Sequence, residues 1–196
     1  MDQHLTWNFH ISHIASKISK NVGILSRIAY ILPIRLRLNL YYSLVHPYLS
    51  YCNMVWASNY ASRLKRLVVL QNKAVRIISG SFTYESTAHI FHNFKIAKPE
   101  QIKIIQICEF IFKYRSHALP PTFDGYFHST SEIHRYAVRS SANLRGISTR
   151  TNSRKFSLKN AGPAIWNDLP LQLRNVHSFL LFKSQLRMYL FSPVVS

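Results

Sequence analysis

The sequence predicts a mainly α protein, a helical bundle over about residues 10 to 118 followed by a basic, loop-rich C-terminal module with little β-structure. Three observations predict it: apolar residues recur every three or four positions in several long segments, prolines stand where helices start or stop, and after Pro121 the composition turns to Ser, Thr, Arg and Asn. A 47% hydrophobic and 13% aromatic content is ample for a core.

From His10 to Leu32 the apolar stripe Ile11, Ile14, Ile18, Val22, Leu25, Ala29 and Leu32 leaves Lys17, Lys20 and Arg27 on the other side, which predicts an amphipathic helix. This basic, Ser-containing segment also shares features with a mitochondrial presequence, a lesser alternative. Pro33 suits the start of a second helix bearing Leu38, Tyr41, Leu44, Val45 and Tyr48, with a kink or break at Pro47. Alternation of Ile34, Leu36, Leu38 and Leu40 with Arg35, Arg37 and Asn39 has the period of a strand, but the apolar content runs past ordinary strand length, so helix is preferred. A third helix is expected from Ser62 to Ser79 with Gly80 as its C-cap. At 100° per residue its Leu64, Leu67, Val68, Gln71, Ala74, Val75 and Ile78 share one face, while Lys65, Arg66, Lys73 and Arg76 gather opposite. A short helix near Thr87 carries Ile90, Phe91 and Phe94. A longer one follows Pro99, with Ile102, Ile105, Cys108, Ile111 and Phe112, and ends near Tyr114 or Arg115. Leu119, Pro120 and Pro121 close this part. Beyond them, the alternation from Lys155 to Lys159 suggests a short strand, Gly162 and Pro163 a turn, and Ser178 the cap of a last helix with Phe179, Phe182, Leu186 and Leu190. The expected domains are therefore 1–120 and 121–196.

Charge narrows the function. The 25 Lys and Arg against 7 Asp and Glu give a formal charge of +18, and between Glu132 and Asp168 no acid occurs while Arg135, Arg139, Arg145, Arg150, Arg154, Lys155 and Lys159 do. Such a stretch repels itself until a polyanion neutralises it, which points to nucleic acid or an anionic surface. The run Arg150 to Lys155 adds hydroxyl and amide donors to guanidinium forks, a mixture suited to sugar-phosphate. Tyr126, Phe127, Tyr136 and Phe156 are candidates to stack on unpaired bases or, as the commoner alternative, to build core. No apolar run reaches the roughly 20 residues that span a bilayer, so no membrane partner is expected.

Catalysis finds little support. Two-metal phosphoryl transfer needs converging carboxylates, and Asp2, Asp124 and Asp168 stand far apart. Glu100 and Glu109 sit where a helix start and a solvated face would put them. His10 with His13 and His89 with His92 have an i, i+3 spacing but no third ligand nearby, so surface or packed histidines are expected. Neither a Gly-x-Ser-x-Gly elbow nor a Gly-rich phosphate loop is present. Cys52 and Cys108, among apolar neighbours, are expected to be buried thiols of a reducing compartment. The expected catalytic, metal and cofactor sets are all none.

Several ordered strings carry a resemblance. Leu5-Thr6-Trp7 with His10-Ile11, Lys17-Ile18-Ser19-Lys20 with Gly23-Ile24-Leu25, Leu32-Pro33, Leu40-Tyr41-Tyr42-Ser43-Leu44-Val45, Pro47-Tyr48-Leu49 and Tyr51-Cys52 with Val55-Trp56 open the series. Leu70-Gln71-Asn72-Lys73-Ala74-Val75-Arg76-Ile77-Ile78, then Arg150-Thr151, Phe156-Ser157, Gly162-Pro163, Trp166-Asn167 and Leu169-Pro170 continue it. Together they resemble the region after the palm in reverse transcriptases of non-LTR retrotransposons of the jockey-like LINE type.

The resemblance implies a thumb-like helical domain and the C-terminal region of an RNA-directed DNA polymerase. Fingers, palm and endonuclease have no counterpart here, and the family's metal-binding aspartates match no position. A family thumb grips the template–primer duplex through its backbone, which the resemblance carries onto Lys73 and Arg76, with Lys65 and Arg66 on the same face. The expected function is thus sequence-tolerant binding of RNA or an RNA/DNA hybrid by Lys65, Arg66, Lys73, Arg76, Arg135, Arg139, Arg145, Arg150, Arg154, Lys155 and Lys159, in the nucleus or cytoplasm. The alternative is an inert or decoy fragment docking on an intact reverse transcriptase through apolar surface.

Overall fold

A computed structural model describes residues 6–58, 60–82, 84–130 and 143–192. The protein is mainly helical, with no strand among these residues. Its contacts divide it into two compact units, Met1–Lys103 and Ile104–Ser196.

In the first unit, α1 (Asn8–Ile28) packs along α5 (Ala61–Ser79), and α2 (Ile34–Leu44) and α3 (His46–Ser50) close over the pair. The stripes expected from periodicity form this core. Ile11, Ile14, Ile18, Val22 and Leu25 are buried from α1, and Leu64, Leu67, Gln71, Ala74, Val75 and Ile78 from α5. Leu32, at the end of the expected first stripe, lies past the helix and is half-buried. Helix wins over the strand alternation after Pro33 because burial has the helical period there, with Tyr41 and Val45 enclosed while Ile34 and Leu36 stay exposed. Pro47 falls in the first turn of α3, where its missing N–H breaks no bond. Between α3 and α4 (Asn53–Trp56), Cys52 adopts φ 49° and is exposed, which corrects the expectation that both thiols are buried; the chain reverses at that residue and turns its side chain out. Trp56 fills the space behind it and donates from Nε1 to the Tyr51 carbonyl at 2.7 Å.

Helix α5 ends as its glycine requires. Gly80 takes φ 74°, and Ser81 N–H donates back to the Arg76 carbonyl at 3.1 Å, the pattern that closes a helix through a left-handed residue. Two last-turn carbonyls, Ile77 and Ile78, receive Arg37 Nη1 at 3.4 Å each, and Arg37 Nε donates to Leu32 O at 2.8 Å. A cation there also meets the negative end of the helix dipole. Helix α6 (Ala88–Asn93) buries Ile90 and Phe91 as expected. The buried Gln71 amide donates to Tyr41 Oη and to Ala97 O, both at 2.8 Å, so one side chain joins α5, α2 and the approach to α7 (Pro99–Arg115).

The second unit is built around the C-terminal part of α7. Phe112 stacks on Phe182 at 4.7 Å between centroids, and Trp166 leans on Phe182 at 5.7 Å. These rings come from α7, α9 (Leu158–Asn167) and α11 (Phe179–Phe191). The region beyond Pro121 also holds a 3-10 turn (Pro121–Phe123), α8 (Asn152–Lys155) and α10 (Leu171–Arg174). An isolated antiparallel bridge joins Ser129 to Leu144.

Two expectations fail here. Residues 155–159 are not a strand: α8 ends at Lys155, Ser157 is extended with φ −62° and ψ 147°, and α9 starts at Leu158. The alternation was that of residues on either side of a helix–helix junction. Gly162-Pro163 is not a turn but lies within α9, where Gly162 lets the helix approach closely. A Cβ at Gly162 would sit 3.3 Å from Ile111 Cδ1 and from the Phe127 ring. Ser178 does occupy the N-cap position of α11, though its hydroxyl makes no capping bond.

Glycine substitutions discriminate these roles. Gly23 lies exposed within α1 with nothing within 4 Å of an added Cβ, so Gly23→Ala should stabilise the fold by about 0.5–1 kcal/mol. Gly80→Ala, forced into a left-handed conformation, should destabilise it by about 1–3 kcal/mol. Denaturant melts followed by circular dichroism read both signs.

Candidate nucleic-acid interface

Because its apolar side faces α1, α5 must present the opposite side to water. Lys65, Arg66 and Lys73 are exposed there, beside the exposed Val69, and none of the three pairs with a described carboxylate. Arg76 behaves differently. Its fork is half-buried and donates from Nε and Nη2 to the Glu85 carbonyl at 3.1 and 2.9 Å, holding the loop that follows the helix. Three cations of the expected face are therefore open and the fourth is committed to main chain. Nearby, Phe82 and Tyr84 stack on one another, with ring planes 7° apart, and both are exposed.

The second unit brings a different subset together. Arg145 N–H donates to the His128 carbonyl at 2.9 Å, just after the Ser129–Leu144 bridge. Asn167 holds that bridge from α9: its Nδ2 donates to Leu144 O at 2.8 Å and its Oδ1 accepts from Leu144 N at 3.0 Å. Lys159, in the first turn of the same helix, places Nζ 5.4 Å from the centre of the Tyr126 ring. Arg145, Lys159, Tyr126, Phe127, His128 and Ile147 thus border one cleft of about 300 Å³. Two cations beside an aromatic wall suit an anionic group that carries apolar surface. Burial raises the Tyr126 phenol above its ordinary value.

The remaining expected contacts scatter. Arg150, Arg154 and Lys155 are exposed, the last two on α8. Arg135, Arg139 and Tyr136 lie outside the described residues. Of the aromatic candidates, Phe127 is core, 4% exposed and packed edge-on to Tyr114 and Tyr126. Phe156 is half-buried, and one face of Tyr126 is covered by Lys159.

Among the described residues no three His, Cys, Asp or Glu converge as they would around a metal. His10 packs edge-on against Trp7 and Trp56, at 6.0 and 5.8 Å, and burial followed by the neighbouring His13 lowers its pKa. His89 and His92 are exposed. No helix among the described residues is long and apolar enough to cross a membrane.

Sequence reading missed the cations that the fold uses internally, Arg37, Arg115 and Arg174. Arg174 Nη1 donates to Asn143 Oδ1 at 2.8 Å, and Arg115 Nη1 to the Arg174 carbonyl at 3.3 Å. The one signal was position, since Arg115 and Arg174 each close the last turn of a helix.

Family models, curated proteins and solved structures were compared with the chain, and none matches.

The two thiols should react in sequence. Cys108 is buried, and its pKa is pushed up to about 12, first by burial and then by the Glu109 charge. At pH 8 one equivalent of a thiol reagent should react with the native protein at Cys52, and a second only after unfolding. Since the folded pKa of Cys108 exceeds its unfolded value, that group's stabilisation is complete below the unfolded value of 9.0 and is lost as pH rises toward 12.

Proposed function

We propose that this chain binds RNA or an RNA/DNA hybrid through its phosphates, without reading sequence, as the thumb and C-terminal part of a non-LTR retrotransposon reverse transcriptase. What supports the reading is the open row of Lys65, Arg66 and Lys73 on α5, a helix with these side chains in solvent and no described carboxylate paired to them. A phosphate backbone is the polyanion that such a row fits, and its contacts position a protein without specifying bases. Arg145 and Lys159 supply a second cationic patch of the same character on the other unit. The family assignment rests on the ordered strings that resemble jockey-like LINE polymerases, among them the α5 segment from Leu70 to Ile78.

The second reading, docking on an intact polymerase, is favoured by exposed apolar side chains where α1 gives way to α2. Tyr30 is 81% exposed and Ile31 67%, with Ile34 and Leu36 close in sequence also in solvent. Co-purification with a reverse transcriptase after nuclease treatment would support it over the first.

Filter binding tests the primary reading. Replacing Lys65, Arg66 and Lys73 together by Gln should weaken single-stranded RNA, hybrid and single-stranded DNA to a similar degree, roughly tenfold or more, and leave the thermal melt unchanged. Arg76→Gln should instead lower stability by about 1–3 kcal/mol through loss of its two bonds to Glu85 O. Unaltered binding by the triple variant would overturn the proposal.

A further inference from the structure

A separate pocket of about 490 Å³ opens in the second unit, within the size range of about 300–1,000 Å³ typical of small-molecule sites. Arg115, Arg174, Trp166, Phe112, Asn175 and His177 border it. None of these is a residue of the backbone grip proposed above. Two guanidiniums meet here although like charges repel, and neither pairs with a described carboxylate. Each is held in place by a neutral partner instead. Arg115 lies 5.5 Å from the centre of the Trp166 ring and donates one N–H to the Arg174 carbonyl, while Arg174 donates one N–H to Asn143. Most of their ten N–H groups have no acceptor among the described residues.

Two donors, one of them in the Arg174 fork, are buried without an acceptor among the described residues. Arg174 Nε and Trp166 Nε1 are both buried and unpartnered, and Trp166 is 0% exposed. Burial, and after it the charge of Arg115, lowers the Arg174 pKa, which an incoming anion would reverse.

We infer that this pocket binds a phosphomonoester, its oxygens accepting from the Arg115 and Arg174 forks, with the Trp166 ring behind Arg115 as the reporter of binding. A phosphate dianion offers three acceptor oxygens and the charge to offset two guanidiniums, where a carboxylate offers one charge and two oxygens. Phe112 and Val176 give the remainder of the ligand an apolar wall.

The test follows the tryptophan indole N–H resonances of the full-length protein, with the Trp166 signal assigned by its loss in Trp166→Phe. Inorganic phosphate, adenosine 5′-monophosphate, adenosine, acetate and chloride are titrated at matched ionic strength. The proposal expects a saturable shift of the Trp166 signal with both phosphates and none with the other three. A tighter response to the nucleotide than to inorganic phosphate identifies an ester as the ligand, and equal responses identify the phosphate alone as the determinant; either supports the site. Arg115→Gln and Arg174→Gln should each weaken the response about tenfold or more. Equal shifts with acetate or chloride, or no shift with phosphate, overturn it, and these wild-type arms decide the matter even if a substituted chain misfolds. Since the pocket shares no residue with the α5 row, its failure would leave backbone binding standing, and the reverse holds too.

Discussion

With 7 acidic residues for 25 Lys and Arg, a cation drawn into this fold has to find a neutral acceptor. Arg37 takes the last carbonyls of α5, Arg76 takes Glu85 O, Arg63 takes Thr6 O and Arg115 takes Arg174 O. Main-chain carbonyls stand where carboxylates would in a charge-balanced protein, and several of them lie at helix ends where the dipole adds to the attraction. Among the described residues Glu109 and Lys183, 3.7 Å apart, form a side-chain ion pair. Among the described residues Lys65, Arg66 and Lys73 have no such carbonyl and stand in water with their charge unopposed. The same deficit thus separates structural arginines from those able to meet an external anion.

That division was half legible in sequence. Periodicity located α1, α5 and α7 and the cationic row of α5, because a long amphipathic helix encodes its own burial in its spacing. It could not distinguish Arg76 from Lys73, since both project from the same side; what separates them is the loop bearing Glu85, which returns to the end of the helix. Nor could spacing assemble Tyr126, Arg145 and Lys159, which come together only because Asn167 fixes the segment around Leu144 against α9.

The misreadings have physical causes that differ from place to place. Gly-Pro usually breaks structure, yet here Gly162 is buried against Ile111 and Phe127, and the helix tolerates the pair because close packing requires a residue without a side chain. Residues 155–159 alternate in polarity because one helix ends and another begins there, so a two-residue period arose by chance across a junction. At Gly162 a tertiary contact overrode a local signal, whereas at residues 155–159 the local pattern itself was a coincidence. Cys52 likewise sits in an apolar string but is turned outward by its positive φ.

If unopposed charge is what this protein offers to a partner, its binding must be governed by counterion release. Affinity for a generic RNA should be measured from low to moderate salt on the intact chain. With about five phosphates neutralised, log affinity against log salt should fall with a slope of about −3.5 to −4.5. A slope near zero would contradict the account, because it would mean that the exposed lysines and arginines meet no phosphate.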